Sequence, residues 1–573
     1  MKALYQKIRS LNGKNYGLYK SLAEKIWNFG DFSLEFLHVQ GDPFAPASRV
    51  LVKASLQALG FASEWSSSFE RRLALADFLL RRLSKNVLEK YPDKNAAVAF
   101  EVPGPEMLVR NALWIDNGDL RACLQVRLPA DGRKIQSEEA AEILTMVLPD
   151  LVSASIYNSM DMTSDLEAHY QVVFERKAIL EELPKLGLVA FVPDGAVLPR
   201  ASGLSEKPLE NAVKFVSPSE MAVTLNIGGR EIRGMGIPKG ISVITGGAFH
   251  GKSTLLQALV ESVHPHVPGD GREGIVVDES ALRICVEDGR FVRETDLSPM
   301  VRDLPGGKST RNFSTYGASG STSEAANLME AMEFGARTFL IDEDSSAVNF
   351  LVRDSRVRDL LGDSREPLIP LTDRIREFAN FGCSFILVAG ACGDFLAIAD
   401  NIIVMAEYKA ECANAKVAEL KQSSSFALEN RFSLPTFEMP GCRSFAEYAK
   451  KLQSSLRPSS AVERQVKVKL NGDSLLQMGF LVSDTSRLKT LVDKEMRLGA
   501  GFILLNLCQN AASNASLDGE KVSITDSIVS LCEKIQNVGF RNIPQGMSRE
   551  MSLPRPIDIA CVLFRLNNQG GRK

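Results

Sequence analysis

The sequence predicts an α/β core built on a mainly parallel sheet, with an α+β region before it and a mostly helical region after it. Three observations carry that prediction. Short apolar runs of strand character alternate with helical periodicity between residues 166 and 440, the pattern of a parallel sheet with crossover helices. A glycine-rich loop, Gly246–Ser253, joins one of these strands to a helix. Another strand, Thr338–Ile341, runs straight into the acids Asp342-Glu343.

The first region, residues 1–165, alternates apolar runs with turns such as Gly41-Asp42-Pro43 and Pro103-Gly104-Pro105, which reads as α+β. Ser68–Lys85 has the spacing of one helix, with Leu73, Ala76, Leu80 and Leu83 on one face and Arg71 and Arg82 on another. Residues 1–90 hold 14 Lys and Arg against 8 Asp and Glu, although the whole chain has a net charge of −3. The first 23 residues carry five basic residues and no acid. Such a start is compatible with an organelle presequence. Tyr5, Ile8, Tyr16 and Tyr19, and the scarcity of Arg and Ser, favour a folded domain that begins there.

The second region, 166–440, opens with a helical pattern at Asp165–Leu183 and a Pro/Gly-rich connector at Pro193–Pro208. Strands are expected at Met221–Ile227, Ile241–Thr245, Gly274–Val277, Thr338–Ile341, Ser384–Val388 and Asn401–Met405. The third region, 441–573, is expected to be a mainly helical domain with one strand-like stretch at Gln465–Leu470. No internal repeat and no long heptad run is present, which argues against a rod-like coiled coil.

Composition narrows the class. The chain has 573 residues, 45% hydrophobic and 24% charged, ordinary for a globular protein. No stretch reaches the ~18 uninterrupted apolar residues of a membrane span, so no membrane partner is expected. The nearest, Phe385–Ala406, is interrupted by Gly393, Asp394, Asp400 and Asn401. Nine cysteines occur without a C-x-x-C pair, which argues against zinc and against a secreted disulfide framework. The expected compartment is reducing, the cytoplasm or an organelle matrix.

The loop Gly246-Gly247-Ala248-Phe249-His250-Gly251-Lys252-Ser253 fits G-x-x-x-x-G-K-[ST]. A strand precedes it and a helix, Lys252–Val263, is expected to follow. Glycines let the backbone wrap an anion, successive N–H groups point at phosphate oxygens, and the helix N-terminus adds positive charge. Lys252 is expected to reach the β- and γ-phosphates of ATP, and Ser253 to ligate Mg²⁺ with Thr254 beside it. Acids at the carboxyl end of a neighbouring parallel strand converge on the same place. Asp342 is therefore the expected support for Mg²⁺ and Glu343 the base that activates water. Asp344 is a third acid that could share that role.

Ser319-Gly320-Ser321-Thr322-Ser323 introduces an expected helix, Glu324–Phe334, and Ser319 lies 23 residues before Asp342. This spacing resembles the signature loop of ABC ATPases, where a serine, glycine and helix N-terminus form an anion site. In that arrangement the site meets the γ-phosphate held by another subunit. A specific family comes into view with Met235-Gly236-Ile237-Pro238-Lys239-Gly240, the phosphate loop, Pro268–Glu273, Leu304-Pro305-Gly306-Gly307, Ala318–Ser323 and Ile341–Asp344. Together with His38–Phe44, Leu198–Gly203 and Pro554-Arg555-Pro556, they resemble the predicted ATPases of the ABC class. That family includes bacterial proteins and an ATPase associated with mitochondrial RNA editing in trypanosomes. The resemblance implies a P-loop NTPase core of ABC type between an N-terminal and a C-terminal domain. It also implies an ATP-sandwiching homodimer, with Ser319 and Gly320 acting across it, and RNA binding.

Departures from transport ATPases are visible. No histidine follows His266, and the place of their switch histidine is taken by Gly390–Asp394. No glutamine lies between Gln257 and Gln422, so their coupling glutamine is missing too. Asp296 is the candidate substitute. His264 and His266 flank Pro265 and read as surface histidines, because no acid or cysteine nearby completes a metal set. Arg71, Arg72, Arg81, Arg82 and Lys85 form a basic helix, a solvated face or a surface that tracks phosphates. Arg464, Lys467 and Lys469 add a second basic stretch. The expected partner is single-stranded RNA with weak sequence preference. The sequence leaves open an ATP-dependent dimeric clamp with little turnover. A transporter motor and a DNA-maintenance protein are disfavoured by the missing glutamine and the missing coiled coil.

Overall fold

The computed structural model describes residues 1–573 except 94–95, 204, 303, 305, 363–364, 422–436, 440, 454, 457–465, 515–522, 544–549 and 569–573. The chain divides into two compact units. One comprises Met1–Phe174 with Ser530–Leu553, and the other Glu175–Val529 with Pro554–Lys573. The stretch expected to form a separate C-terminal domain is thus shared between them.

The first unit is α+β. Trp27–Asn28, Phe32–His38, Ser48–Ser55, Asp119–Val126 and Val98–Ala99 form an antiparallel sheet in that order, with Leu113–Asp116 also pairing with Asp119–Val126. Ser48–Ser55 buries Val50, Val52 and Ala54 on one face, and Leu51 on the other. The expected helix runs from Phe69 to Lys90, and the Ser68 side chain accepts from Arg71 N at 3.2 Å, an N-cap that satisfies one orphan donor. Leu73, Leu80 and Leu83 are buried as the spacing predicts. Tyr16 and Tyr19 are buried too, and the Tyr16 hydroxyl donates to Leu128 O at 3.0 Å, whereas Tyr5 is exposed.

The arginines of the basic helix make local contacts. Arg71 lies over the Tyr170 ring at 4.3 Å and the Trp65 ring at 5.4 Å. Arg81 makes a two-pronged bond to the buried Asp77. Arg82 donates to Ala154 O and Arg72 to Ser66 O. These guanidiniums lock local structure, a role that residue type and spacing do not reveal. Lys85 is exposed beside Glu89.

The second unit holds the expected parallel sheet. Its strands are β1 (Ile241–Thr245), β2 (Leu282–Ile284), β3 (Thr338–Asp342), β4 (Ser384–Val388), β5 (Asn401–Ala406) and β6 (Lys409–Cys412). The order is β2-β3-β4-β1-β5-β6. The first five are parallel, and β6 returns antiparallel to β5. β3 and β4 are buried throughout, as a parallel sheet covered on both faces requires. Helix α1 (Lys252–Glu261) follows β1, and α2 (Gly320–Phe334) precedes β3.

A second, antiparallel sheet pairs Ala222–Ile227, Arg230–Pro238, Leu188–Pro193 and Val276–Val277 in that order. Only its outer strands were expected. The other two, Leu188–Pro193 and Arg230–Pro238, were not among the expected strands. A Cβ on Gly234 would lie 2.5 Å from Val192 O, so the glycine is there to let two backbones approach.

The stretch after residue 441 contains more strand than expected. Val468–Asn471, Leu475–Met478, Leu481–Asp484 and Asn567–Asn568 form an antiparallel sheet, beside helices Phe445–Gln453, Lys494–Asn514 and Pro556–Arg565. Arg464, one of the basic residues singled out, lies outside the described residues. His264 and His266 are buried, not at the surface. His264 Nε2 sits 2.9 Å from Thr490 O, and His266 Nδ1 lies 2.8 Å from Asp270. Burial pushes the His264 imidazole down to about 4. The partner of His264 lies 226 residues away, whereas that of His266 is only four residues on.

Candidate functional site

The ends of β3, β4, β1 and β5 open onto one cleft of about 680 Å³. Its floor is Gly246, Gly247, Ala248, Phe249 and Gly251 of the loop between β1 and α1, with Lys252, Ser253 and Thr254 of the first turn of α1. Gly246 has φ of 132°, and a Cβ there would lie 2.2 Å from Met405 O. Only glycine fits this position, since the loop runs against the neighbouring strand while its backbone is in a region L residues avoid. Gly251, at φ of 96°, caps α1 from the left-handed region. The loop's amides and the N-terminus of α1 form an anion cradle.

Lys252 Nζ donates to Gly246 O at 2.8 Å and to Gly247 O at 2.7 Å. The ammonium therefore lies over the cradle. His250 lines no part of the cleft; instead its Nδ1 accepts from Glu407 N at 2.7 Å and its carbonyl from Tyr408 N at 3.3 Å. It ties the loop to the turn between β5 and β6. Phe249 projects outward, 93% exposed, from φ of 66°.

Asp342 closes the buried strand β3 and is itself buried, with its carboxylate accepting from Asp344 N at 3.3 Å. Glu343 and Asp344 follow in a short 3₁₀ turn, and all three acids line the cleft. Glu343 Oε2 accepts from Gly390 N at 2.7 Å and Ala391 N at 3.1 Å. The residues at the switch-histidine position thus hold the expected base through main-chain amides. That contact was not legible in the sequence, because any residue except proline supplies an amide. The donor set fits Mg²⁺ with a triphosphate: a hydroxyl on Ser253, a buried carboxylate on Asp342 and a glycine cradle with no Cβ in the way.

Two family models match this chain. One describes a P-loop domain over residues 162–437, and the other the N-terminal part of ABC-class ATPases over residues 1–159. The chain belongs to the ABC-class ATPase family.

The chain is 30% identical over 250 residues to an uncharacterized protein, MJ1628, of Methanocaldococcus jannaschii. The match takes in 42% of this chain and 55% of that protein, so the chain spans little more than half the length of this relative. Among solved structures it resembles the ADP conformation of MJ1267, an ATP-binding cassette of an ABC transporter, at 11% identity and a TM-score of 0.23. That likeness covers 36% of this chain and 94% of MJ1267. CbiO1 of Clostridium perfringens, part of the transporter complex cbiONQ, is 14% identical with a TM-score of 0.25, covering 41% and 92%.

Ser319 and Gly320 do not line the cleft. Ser319 is the exposed N-cap of α2, its hydroxyl 3.0 Å from that of Thr322, and Gly320 begins the helix. A Cβ on Gly320 would meet Val286 at 2.8 Å. The base of α2 is held rigidly. Asn327 Nδ2 donates to Cys285 O, the Arg565 guanidinium donates to Asn327 Oδ1 at 2.8 Å, and Arg290 pairs with the buried Glu330. Asp296 accepts from Ser298 N at 2.9 Å in its own turn and is not among the cleft residues. The structure gives it no place in the site. Among the described residues, no single helix is long and apolar enough to cross a membrane.

Proposed function

We propose that this ABC-class ATPase binds Mg-ATP in the cleft above β1 and hydrolyses it to ADP and phosphate. The convergence of the glycine cradle, Lys252, Asp342 and Glu343 on one cleft carries the reading. Lys252 and the loop amides bind the phosphates, and Ser253 and Asp342 would hold Mg²⁺, which neutralises phosphate charge. Glu343 orients and deprotonates the attacking water once it leaves the amides of Gly390 and Ala391.

The reading extends to a homodimer in which Ser319 and Gly320 of one copy complete the γ-phosphate site of the other. Its support is a set of exposed apolar side chains beside the nucleotide-binding segments: Phe249 in the loop, Tyr316 before α2 and Val348 after the acids, each at least 70% exposed. Large apolar groups left in water favour a partner surface. RNA as the substrate of this cycle rests on the family resemblance alone. The arginines of the first unit do not add to it.

A second reading, an ATP-dependent clamp with little turnover, draws on the amide contacts of Gly390 and Ala391 that engage Glu343 Oε2. Replacing Glu343 by Gln separates the two. If Glu343 is the base, phosphate release falls about 10²- to 10⁴-fold, while ATP-dependent dimerisation, followed by light scattering, persists. An unchanged rate excludes Glu343 as the base. An already negligible wild-type rate favours the clamp. RNA binding is checked by affinity for a single strand at two salt concentrations, since phosphate contacts weaken steeply with salt. No binding at low salt removes RNA from the reading.

A further inference from the structure

We propose that Tyr408 is the residue against which the base of the bound nucleotide packs. The inference rests on the reading of the cleft as a nucleotide site, and it assigns the half of that site which binds no phosphate.

Strand order sets the direction of the ligand. Asp342 and Glu343 stand at the end of β3, Gly390 beyond β4, the phosphate loop after β1, and Tyr408 just past β5. Neighbouring strands are ~4.8 Å apart, so the cleft crosses three such intervals. The acids and Lys252 fix the γ-phosphate at the β3–β4 side of the loop. The chain of phosphates then leads across β1, and sugar and base leave on the β5 side. Tyr408 is the aromatic side chain that lines the cleft there.

The polar side chains of the cleft are Lys252, Ser253, Thr254, Asp342, Glu343 and Asp344. All belong to the phosphate loop or the acidic turn. The β5 end offers a flat aromatic face instead, suited to stacking on a purine.

Backbone geometry points the same way. Glu407 and Tyr408 form the two-residue turn between β5 and β6, at φ of 48° and 65°. Such turns ordinarily take Asn-Gly, because both residues sit in the left-handed region. Among the described residues, non-glycine positions with positive φ are Asn117, Asn211, Phe249, Glu294, Glu407 and Tyr408. Asparagine tolerates this conformation. Of the four others, three are in or beside this cleft. A large aromatic kept in a strained turn where glycine would be comfortable marks a site where the side chain matters. The turn is also fixed to the phosphate loop by His250, and a Cβ on Gly251 would lie 3.1 Å from the Tyr408 ring. The ring, 52% exposed, is thus set in place beside the cradle with one face in solvent.

The test uses Tyr408→Asn, which keeps a residue at ease in this turn, and Tyr408→Trp, which keeps a ring. Calorimetric titration of the full chain with Mg-ATP and with Mg-tripolyphosphate separates base from phosphate binding. Removing the ring should weaken ATP about tenfold to a hundredfold and leave tripolyphosphate affinity within about twofold. The tryptophan variant should bind ATP like the wild type. In turnover assays the asparagine variant should raise KM with kcat unchanged, the signature of lost uniform binding. ATP affinity equal to wild type in Tyr408→Asn overturns the inference, as does an equal loss of tripolyphosphate. Wild-type protein that binds neither ligand sinks the nucleotide reading itself, and this inference with it.

Discussion

Glu324 offers a quantitative test of how α2 is joined to the acidic turn. It is fully buried, five residues past Ser319, and its Oε2 accepts from Ala347 N at 2.8 Å. Its Oε1 is buried with no hydrogen-bond partner among the described residues. Burial raises its carboxyl from 4.5 to about 7, against the opposing pull of Ser346 and the Ala347 amide. A folded-state value above the unfolded one means that the native chain holds the proton longer. Stability from this group is therefore complete below pH 4.5, declines as pH rises, and is gone above about pH 7. The interval corresponds to about 3 kcal/mol. Replacing Glu324 by Gln removes the ionisation and keeps a carbonyl to accept from Ala347. Urea unfolding of wild type and Glu324→Gln should then agree near pH 4.5. By pH 8 the variant should be more stable by about 3 kcal/mol in the transition of the second unit. Parallel pH profiles for the two proteins would refute the argument, because they would mean that Glu324 reaches water or a cation.

Two further outcomes follow from buried and stacked charges. Burial would raise the Asp270 carboxyl, but bonds from His266 and Arg200 overcome it and hold it near 2. Its stabilisation is therefore present above about pH 4 and lost as pH falls towards 2. Asp270→Asn should lower the unfolding free energy at pH 7 by about 2 kcal/mol or more, and the difference from wild type should shrink in acid. Arg71→Ala should destabilise the first unit by about 1–2 kcal/mol through loss of its contacts with Tyr170 and Trp65. It should leave the salt slope of any RNA binding unchanged, since this guanidinium already stacks within its own unit. A slope reduced by one charge would return the helix to the list of phosphate contacts.

How much of the site the sequence disclosed depends on how local each part is. The phosphate loop is eight consecutive residues whose function is carried by glycine backbone, one lysine and one hydroxyl, so order alone specifies it. Asp342 and Glu343 were legible because an apolar strand that ends in acids has few other uses beside such a loop. Tyr408 was not, since nothing in Ala406-Glu407-Tyr408-Lys409 tells that β5 lies next to β1. Glu343 reaches Gly390 and Ala391 across 47 and 48 residues, through amides that carry no residue signature.

The same division holds for the fold. Periodicity of apolar residues determined the strands β1, β3, β4 and β5 and the helices α1 and α2, because burial leaves a mark in composition. The chain's last 130 or so residues, expected to stand alone as a domain, were assigned by packing instead. Arg565 bonds Glu287 and Asn327, 278 and 238 positions earlier, and Ser530–Leu553 joins the first unit. The sequence determined which residues form the glycine loop and the acidic end of β3, and which must leave water. Tertiary structure decided which distant side chain meets which, because a buried charge takes its partner from whatever the fold brings within about 3 Å, and that proximity is a property of the packed chain.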